Sequence, residues 1–88
     1  MTGVERVRIA AGVLDVAYPG WLNILNTDGC DIHNYSDCVL TRISGQPFDV
    51  ALNYMYDCGY PNGTNAFCRK VTINDWNTVI AERKAARS

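Results

Sequence analysis

The sequence predicts a mostly α-helical fold: a small single-domain bundle of about four helices, with a long Asn/Gly-rich loop before the last helix. Apolar residues recur at three- and four-residue steps over residues 3–17 and again towards the carboxyl end. Between these segments, the most apolar stretch of the chain is interrupted by Gly45-Gln46-Pro47, a combination typical of a corner between two helices. A length of 88 residues suits one domain, so we assign residues 1–88 to it.

The first helix is predicted over residues 3–17. Thr2 and Glu5 have the spacing of a capping box, in which each side chain can accept a backbone N–H bond at the start of the helix. Pro19 ends the helix, because a proline disfavours helical geometry in the residue before it. Gly12 weakens the helix, and we expect it to allow the close approach of another backbone. The predicted buried face consists of Val4, Val7, Ala11, Leu14 and Tyr18.

After Pro19, the sequence predicts one or two helical turns around Trp21, which end in the turn-forming residues 26–29. Two central helices follow, over about 35–44 and 47–56. Gly45 suits the left-handed position after the first of them, and Pro47 suits the first turn of the second. The alternative is a pair of strands, since residues 39–41 and 48–50 also alternate in polarity.

A mobile loop is predicted over about 57–70, where Gly and Asn are frequent. Thr72 or Asn74 then caps a final helix, with Asp75 in its first turn. Its inner face comprises Ile73, Trp76, Val79 and Ile80. The core of the domain is predicted to contain Val7, Leu14, Trp21, Leu40, Ile43, Val50, Trp76 and Ile80.

Composition argues against several classes of function. The net charge is −1 and the isoelectric point is near 5.6, which is not the basic balance expected of a nucleic-acid-binding domain. The basic residues Arg83, Lys84 and Arg87 are explained by their place at the negative end of the last helix. The chain shows neither an apolar run long enough to span a membrane nor the pattern of a signal peptide, so we expect it in the cytoplasm.

Four cysteines leave three hypotheses open. Cys30, His33, Cys58 and Cys68 are ligand types that zinc prefers, and together they would complete a tetrahedral structural site. The cysteines can instead be thiols that pack as small apolar residues, or Cys58 and Cys68 can form a disulfide. Cys38 is predicted to be a core residue.

Motifs for catalysis are missing. The sequence contains no phosphate-binding loop and no signature of a metalloprotease or serine hydrolase, so we predict that the protein is not an enzyme. The one possible catalytic pair combines His33 with Cys30 or Cys38. A surface or capping role for His33 explains this histidine as well.

The chain has more aromatic residues than so small a core needs, with five tyrosines and two tryptophans. Tyrosine is enriched at protein interfaces because its ring buries a large area while its hydroxyl stays polar. We therefore predict a partner-binding surface around the loop. The alternative is that these rings cover the core beneath the loop. The residues concerned are Tyr54, Tyr56, Tyr60 and Phe67.

Three segments carry a resemblance to a known group of proteins: LDVAYPGW at 14–21, CVLTRISG at 38–45 and VTINDWNTVIAER at 71–83. Together they resemble a group of small proteins without an assigned activity, found in bacteriophages that infect mycobacteria and related actinobacteria. The chain departs from that pattern in its three additional cysteines and in its 57–69 loop.

The resemblance implies a phage origin and a place in the cytoplasm of the infected bacterial host. Together with the missing catalytic motifs and the aromatic excess, it leads us to expect a small non-enzymatic phage protein that binds and modulates a host bacterial protein. The alternative is a small zinc-stabilised module linked to transcription.

Overall fold

The computed structural model describes residues 1–30, 38–67 and 70–87, and the regular secondary structure within those ranges is entirely helical. The helices are α1 (Gly3–Ala17), α2 (Trp21–Ile24), α3 (Val39–Ser44), α4 (Phe48–Asp57) and α5 (Ile73–Arg87). The mostly α-helical fold class is confirmed, and the alternative of a central strand pair is wrong. Helix α2 is the short helical segment predicted after Pro19.

Threonine caps begin both long helices. The Thr2 hydroxyl accepts a hydrogen bond from the backbone N–H of Glu5 at 3.1 Å. At α5, Thr72 Oγ1 accepts from the backbone N–H of Asp75 at 3.3 Å, and Asp75 Oδ2 accepts from the N–H of Thr72 at 2.9 Å. These reciprocal bonds form a capping box, so Thr72 rather than Asn74 caps the last helix.

Helices α1 and α5 lie side by side and run in the same direction. Arg8 on α1 donates two hydrogen bonds to the Glu82 carboxylate, at 3.1 Å and 2.7 Å. Further along both helices, Arg83 forms an ion pair with Asp15. Apolar side chains from both helices, including Val7, Leu14 and Trp76, are buried in the core.

The predicted core is largely correct, with one error on α4. Val50 was expected inside, but 51% of its surface is exposed, whereas the neighbouring Ala51 and the next-turn Met55 are fully buried. Apolar residues cover a wide sector of α4, so the sequence pattern did not determine which of them face the core. The small Ala51 lies on the buried side, Leu52 is partly buried against the core, and Val50 stays outside. Ile80 is partly buried against the core.

The central corner is close to the one predicted. Gly45 ends α3 in the left-handed region, with φ at 68°, and Pro47 directly precedes α4. Helix α3 begins at Val39 rather than at residue 35, because Cys38 has an extended backbone. The predicted residues 35–37 lie outside the described ranges.

Hydrogen bonds tie the described part of the 57–70 loop to the helices. Arg6 Nη1 on α1 donates to the carbonyl oxygens of Gly63 at 3.2 Å and Thr64 at 2.8 Å. Ala66 is held at both backbone groups: its N–H donates to the Tyr60 hydroxyl at 3.0 Å, and its carbonyl accepts from Trp76 Nε1 at 2.9 Å. Mobility of this loop stays a prediction, and any large motion would have to break these bonds.

Gly12 does not have the expected role. It is exposed, and a Cβ atom added there would meet no other atom within 4 Å. The expectation that another backbone approaches this glycine is therefore wrong.

Candidate functional site

Helix α4 exposes three large residues, and they spread over roughly half of its circumference because Tyr54 and Tyr56 are two positions apart on a helix of about 3.6 residues per turn. Val50 is 51% exposed, Tyr54 45% and Tyr56 40%. We call this set of three the α4 aromatic face. It combines apolar area with two phenol groups, and such side chains are enriched where proteins bind one another.

Acidic residues accompany the α4 aromatic face. Asp49 lies in the first turn of α4 and Asp57 in its last, and both are exposed. The helix sequence, FDVALNYMYD, contains no lysine or arginine. A partner surface that matches this face therefore needs apolar area together with positive charge.

Neighbouring rings restrict the two exposed tyrosines. The Tyr54 ring meets that of Tyr18 edge to face, with ring centroids 5.4 Å apart, and the Tyr56 ring lies 5.5 Å from that of Tyr60. Rings held in this way lose less conformational freedom when a partner binds. This arrangement suits them to recognition of another molecule.

The environment of the Tyr54–Tyr18 pair makes both phenol groups harder to deprotonate. A hydrogen bond with the Cys58 side chain, followed by the electrostatic interaction with Cys58 and by partial burial, raises the pKa of Tyr54. Partial burial, followed by the charges of Tyr54 and Cys58, raises the pKa of Tyr18 and outweighs the opposite effect of Ser44. Both phenols are therefore neutral hydrogen-bonding groups at pH 7.

The other two residues predicted to bind a partner are part of the core. Tyr60 is 5% exposed and Phe67 2%, and the Phe67 ring stacks on Trp76 with centroids 5.3 Å apart. A partner at the surface can reach Tyr54 and Tyr56 but not these two rings. Tyr60 and Phe67 fit the alternative that loop aromatics cover the core. Phe67 contacts both the Tyr60 ring and the inward-facing Trp76, and this arrangement was not visible from sequence spacing.

The predicted zinc ligands cannot be assembled from the described residues. His33 and Cys68 lie outside those ranges, and Cys30 and Cys58 are half-buried. Within residues 1–30, 38–67 and 70–87, no three His, Cys, Asp or Glu side chains are grouped as metal ligands. The zinc site and the His33–cysteine pair both stay hypotheses. Cys38 is a buried free thiol, in agreement with its predicted core position.

The basic end of α5 is partly engaged within the fold. Arg83 pairs with Asp15 on α1, and Lys84 is exposed. Arg87 is the last residue of the helix, and its side chain lies outside the description. In the part of the chain that the structure describes, no helix is long and apolar enough to cross a membrane.

Comparison with known proteins adds no relative. No family model, curated protein or solved structure matches the chain. The resemblance to phage proteins therefore rests on the three sequence segments quoted above.

Proposed function

We propose that this chain is a small non-enzymatic phage protein that binds and modulates a host bacterial protein through the α4 aromatic face. The observation that carries the proposal is the exposure of Tyr54 and Tyr56 beside Val50 on one helix. The phage origin and the cytoplasm of the infected host come from the resemblance of the three sequence segments.

Physical reasoning supports a protein as the ligand of this face. The face is convex, since it is the outer side of a helix, whereas small molecules bind in concave pockets. Exposed tyrosines held by neighbouring rings resemble the residues that contribute most to protein–protein affinity. The exposed carboxylates of Asp49 and Asp57 favour a partner with basic residues around an apolar contact.

A position-specific photo-crosslinking experiment tests the proposal. A photoreactive phenylalanine analogue replaces Tyr56 in one version of the tagged protein and Val16 in the other, and both are exposed to a mycobacterial lysate. Val16, on α1, is a suitable control because 66% of its surface is exposed. We expect one host protein to be crosslinked from position 56 and not from position 16.

Binding of the purified partner then measures the contribution of the face. We expect the Tyr54→Ala/Tyr56→Ala double variant to bind at least about 30-fold more weakly, the loss typical of residues that dominate an interface. The control variant Val16→Ala/Ile24→Ala removes exposed apolar area elsewhere and should bind normally. Equal loss in both variants, or equal crosslinking from both positions, would refute the proposed surface.

A further inference from the structure

A groove of about 290 Å³ lies where the end of α1, helix α2 and helix α5 meet, and no residue of α4 is among those that line it. Its lining combines an ion pair with apolar side chains. This volume is just below the roughly 300–1,000 Å³ typical of small-molecule sites, so the groove suits a very small ligand. The residues that line it are Asp15, Gly20, Trp21, Leu22, Asn23 and Arg83.

The ion pair on one side of the groove is fixed in position. Asp15 Oδ1 accepts a hydrogen bond from the indole Nε1 of Trp21 at 3.0 Å, while Asp15 Oδ2 accepts from Nη1 of Arg83. Trp21 is 2% exposed, so its indole cannot move without disturbing the core. These two bonds orient the carboxylate within the groove.

The ion pair leaves hydrogen-bonding capacity unused. A guanidinium group has five N–H donors, and Asp15 accepts from one nitrogen of Arg83. Each carboxylate oxygen of Asp15 can accept a second hydrogen bond. Both groups are partly exposed, with side-chain exposures of 34% for Arg83 and 46% for Asp15, so a ligand can reach them.

The charges select the kind of ligand. A simple anion is attracted by Arg83 but repelled by Asp15. A simple cation is attracted by Asp15 but repelled by Arg83. A dipolar molecule, with an ammonium group near Asp15 and a carboxylate near Arg83, gains from both. An α-amino acid carries these two charged groups on the same carbon atom, and its side chain would then lie towards Leu22.

We propose that this groove binds a free α-amino acid with an apolar side chain. The ammonium group of the ligand donates to the Asp15 carboxylate, and its carboxylate accepts from the remaining N–H groups of Arg83. The side chain contacts Leu22. This inference does not depend on the proposed function of the α4 aromatic face.

Titration of the isotope-labelled protein with L-leucine tests the inference by NMR. We expect saturable shifts of the Trp21 indole N–H and the Leu22 amide, with a dissociation constant in the millimolar range expected for so small a ligand. Leucine methyl ester lacks the carboxylate, and 4-methylpentanoate lacks the ammonium group. Each should bind about tenfold more weakly, because each loses one charged hydrogen-bonding group.

Three variants separate the groove from the packing of α1 on α5. Asp15→Asn and Arg83→Gln should each weaken L-leucine binding about tenfold. Arg8→Gln is the matched control, because it removes the other α1–α5 ion pair, with Glu82, at a site outside the groove. Absence of saturable shifts, equal binding of the two analogues, or equal loss in Arg8→Gln would overturn the inference.

Discussion

The carboxylate of Asp75 on α5 occupies the space that a side chain at Gly3 on α1 would need. A Cβ atom added at Gly3 would lie 2.8 Å from Asp75 Cγ and still closer to Oδ2. Asp75 cannot simply turn away, because Oδ2 accepts the backbone N–H of Thr72 in the capping box. The first turns of the two long helices thus fit together because one of them begins with glycine.

Two glycine-to-alanine changes on α1 should have opposite effects. Gly3→Ala displaces the Asp75 carboxylate from its cap, which should cost about 1 kcal/mol of unfolding free energy. Gly12→Ala meets nothing within 4 Å and should add about 0.5–1 kcal/mol, the usual difference in helix propensity. Urea denaturation of both variants measures these values. Effects of the same sign would contradict the Gly3–Asp75 packing.

Removal of the Tyr60 hydroxyl should loosen the loop. Tyr60→Phe leaves the buried N–H of Ala66 without its acceptor. This should lower the free energy of unfolding by about 1–3 kcal/mol. Hydrogen exchange at the Ala66 amide should accelerate accordingly. Tyr56→Phe is the matched control, because Tyr56 is 40% exposed. This variant should change the free energy of unfolding by no more than about 0.5 kcal/mol. If hydrogen exchange at the Ala66 amide stays slow in Tyr60→Phe, the bond between Ala66 and Tyr60 does not hold the loop.

The four aromatic residues near the loop should divide into two groups by how much their replacement with alanine lowers the free energy of unfolding. Tyr54→Ala/Tyr56→Ala removes exposed rings and should lower the unfolding free energy by less than about 2 kcal/mol. Phe67→Ala removes a buried ring stacked on Trp76 and should cost about 3–5 kcal/mol. Thermal melts compare the two. A similar loss in both would mean that the α4 rings are core residues and cannot serve as a docking surface.

Acid should weaken the fold partly through Asp15. Partial burial raises the pKa of Asp15, but the hydrogen bonds from Arg83 and Trp21 outweigh this effect and hold it below its ordinary value. Since the pKa is lower in the folded state, Asp15 contributes its full stability above about pH 4 and loses it as the pH falls through the folded-state pKa.

The contribution of Asp15 should be below about 1 kcal/mol, because the pair is partly exposed and screened by water. Urea denaturation at about pH 6 and about pH 3 gives the fall in unfolding free energy on acidification, for the natural chain and for Asp15→Asn. We expect a smaller loss in the variant. If both lose the same stability, Asp15 does not contribute to the acid sensitivity.

Zinc should be absent from the purified protein. Cys58 interacts with the Tyr54 hydroxyl, and a zinc ion bound to the Cys58 sulfur would have to replace this interaction. Protein prepared without a chelator should contain well under one zinc ion per chain by elemental analysis. Its melting temperature should be the same with and without EDTA. One zinc ion per chain, lost in Cys30→Ser, would instead support the zinc-stabilised module.

The sequence predicted best the parts of the fold that depend on local chemistry. Thr2 and Pro19 delimit the first helix because a cap and a proline act on the residues beside them. Gly45 ends α3 because it takes up a left-handed backbone at little cost. These effects do not require knowledge of the partner helix.

Features that depend on distant partners were predicted less well. Which side chains of α4 face the core depends on the elements that pack against this helix. For this reason, Val50 was wrongly predicted to be buried. The bonds from Arg6 to the loop carbonyls join residues 57 and 58 positions apart, and spacing along the chain gives no sign of them. The groove beside Asp15 likewise needs α1, α2 and α5 together, so sequence motifs did not indicate it.

The pairing of α1 with α5 also determines when the protein can fold during its synthesis. The bond between Arg8 and Glu82 joins positions 74 residues apart, so it forms after nearly all of this chain has left the ribosome. Until then, the apolar side of α1 lacks its main cover and is open to chaperones and proteases. A message truncated before α5 would therefore yield a chain that is degraded rather than a smaller working domain.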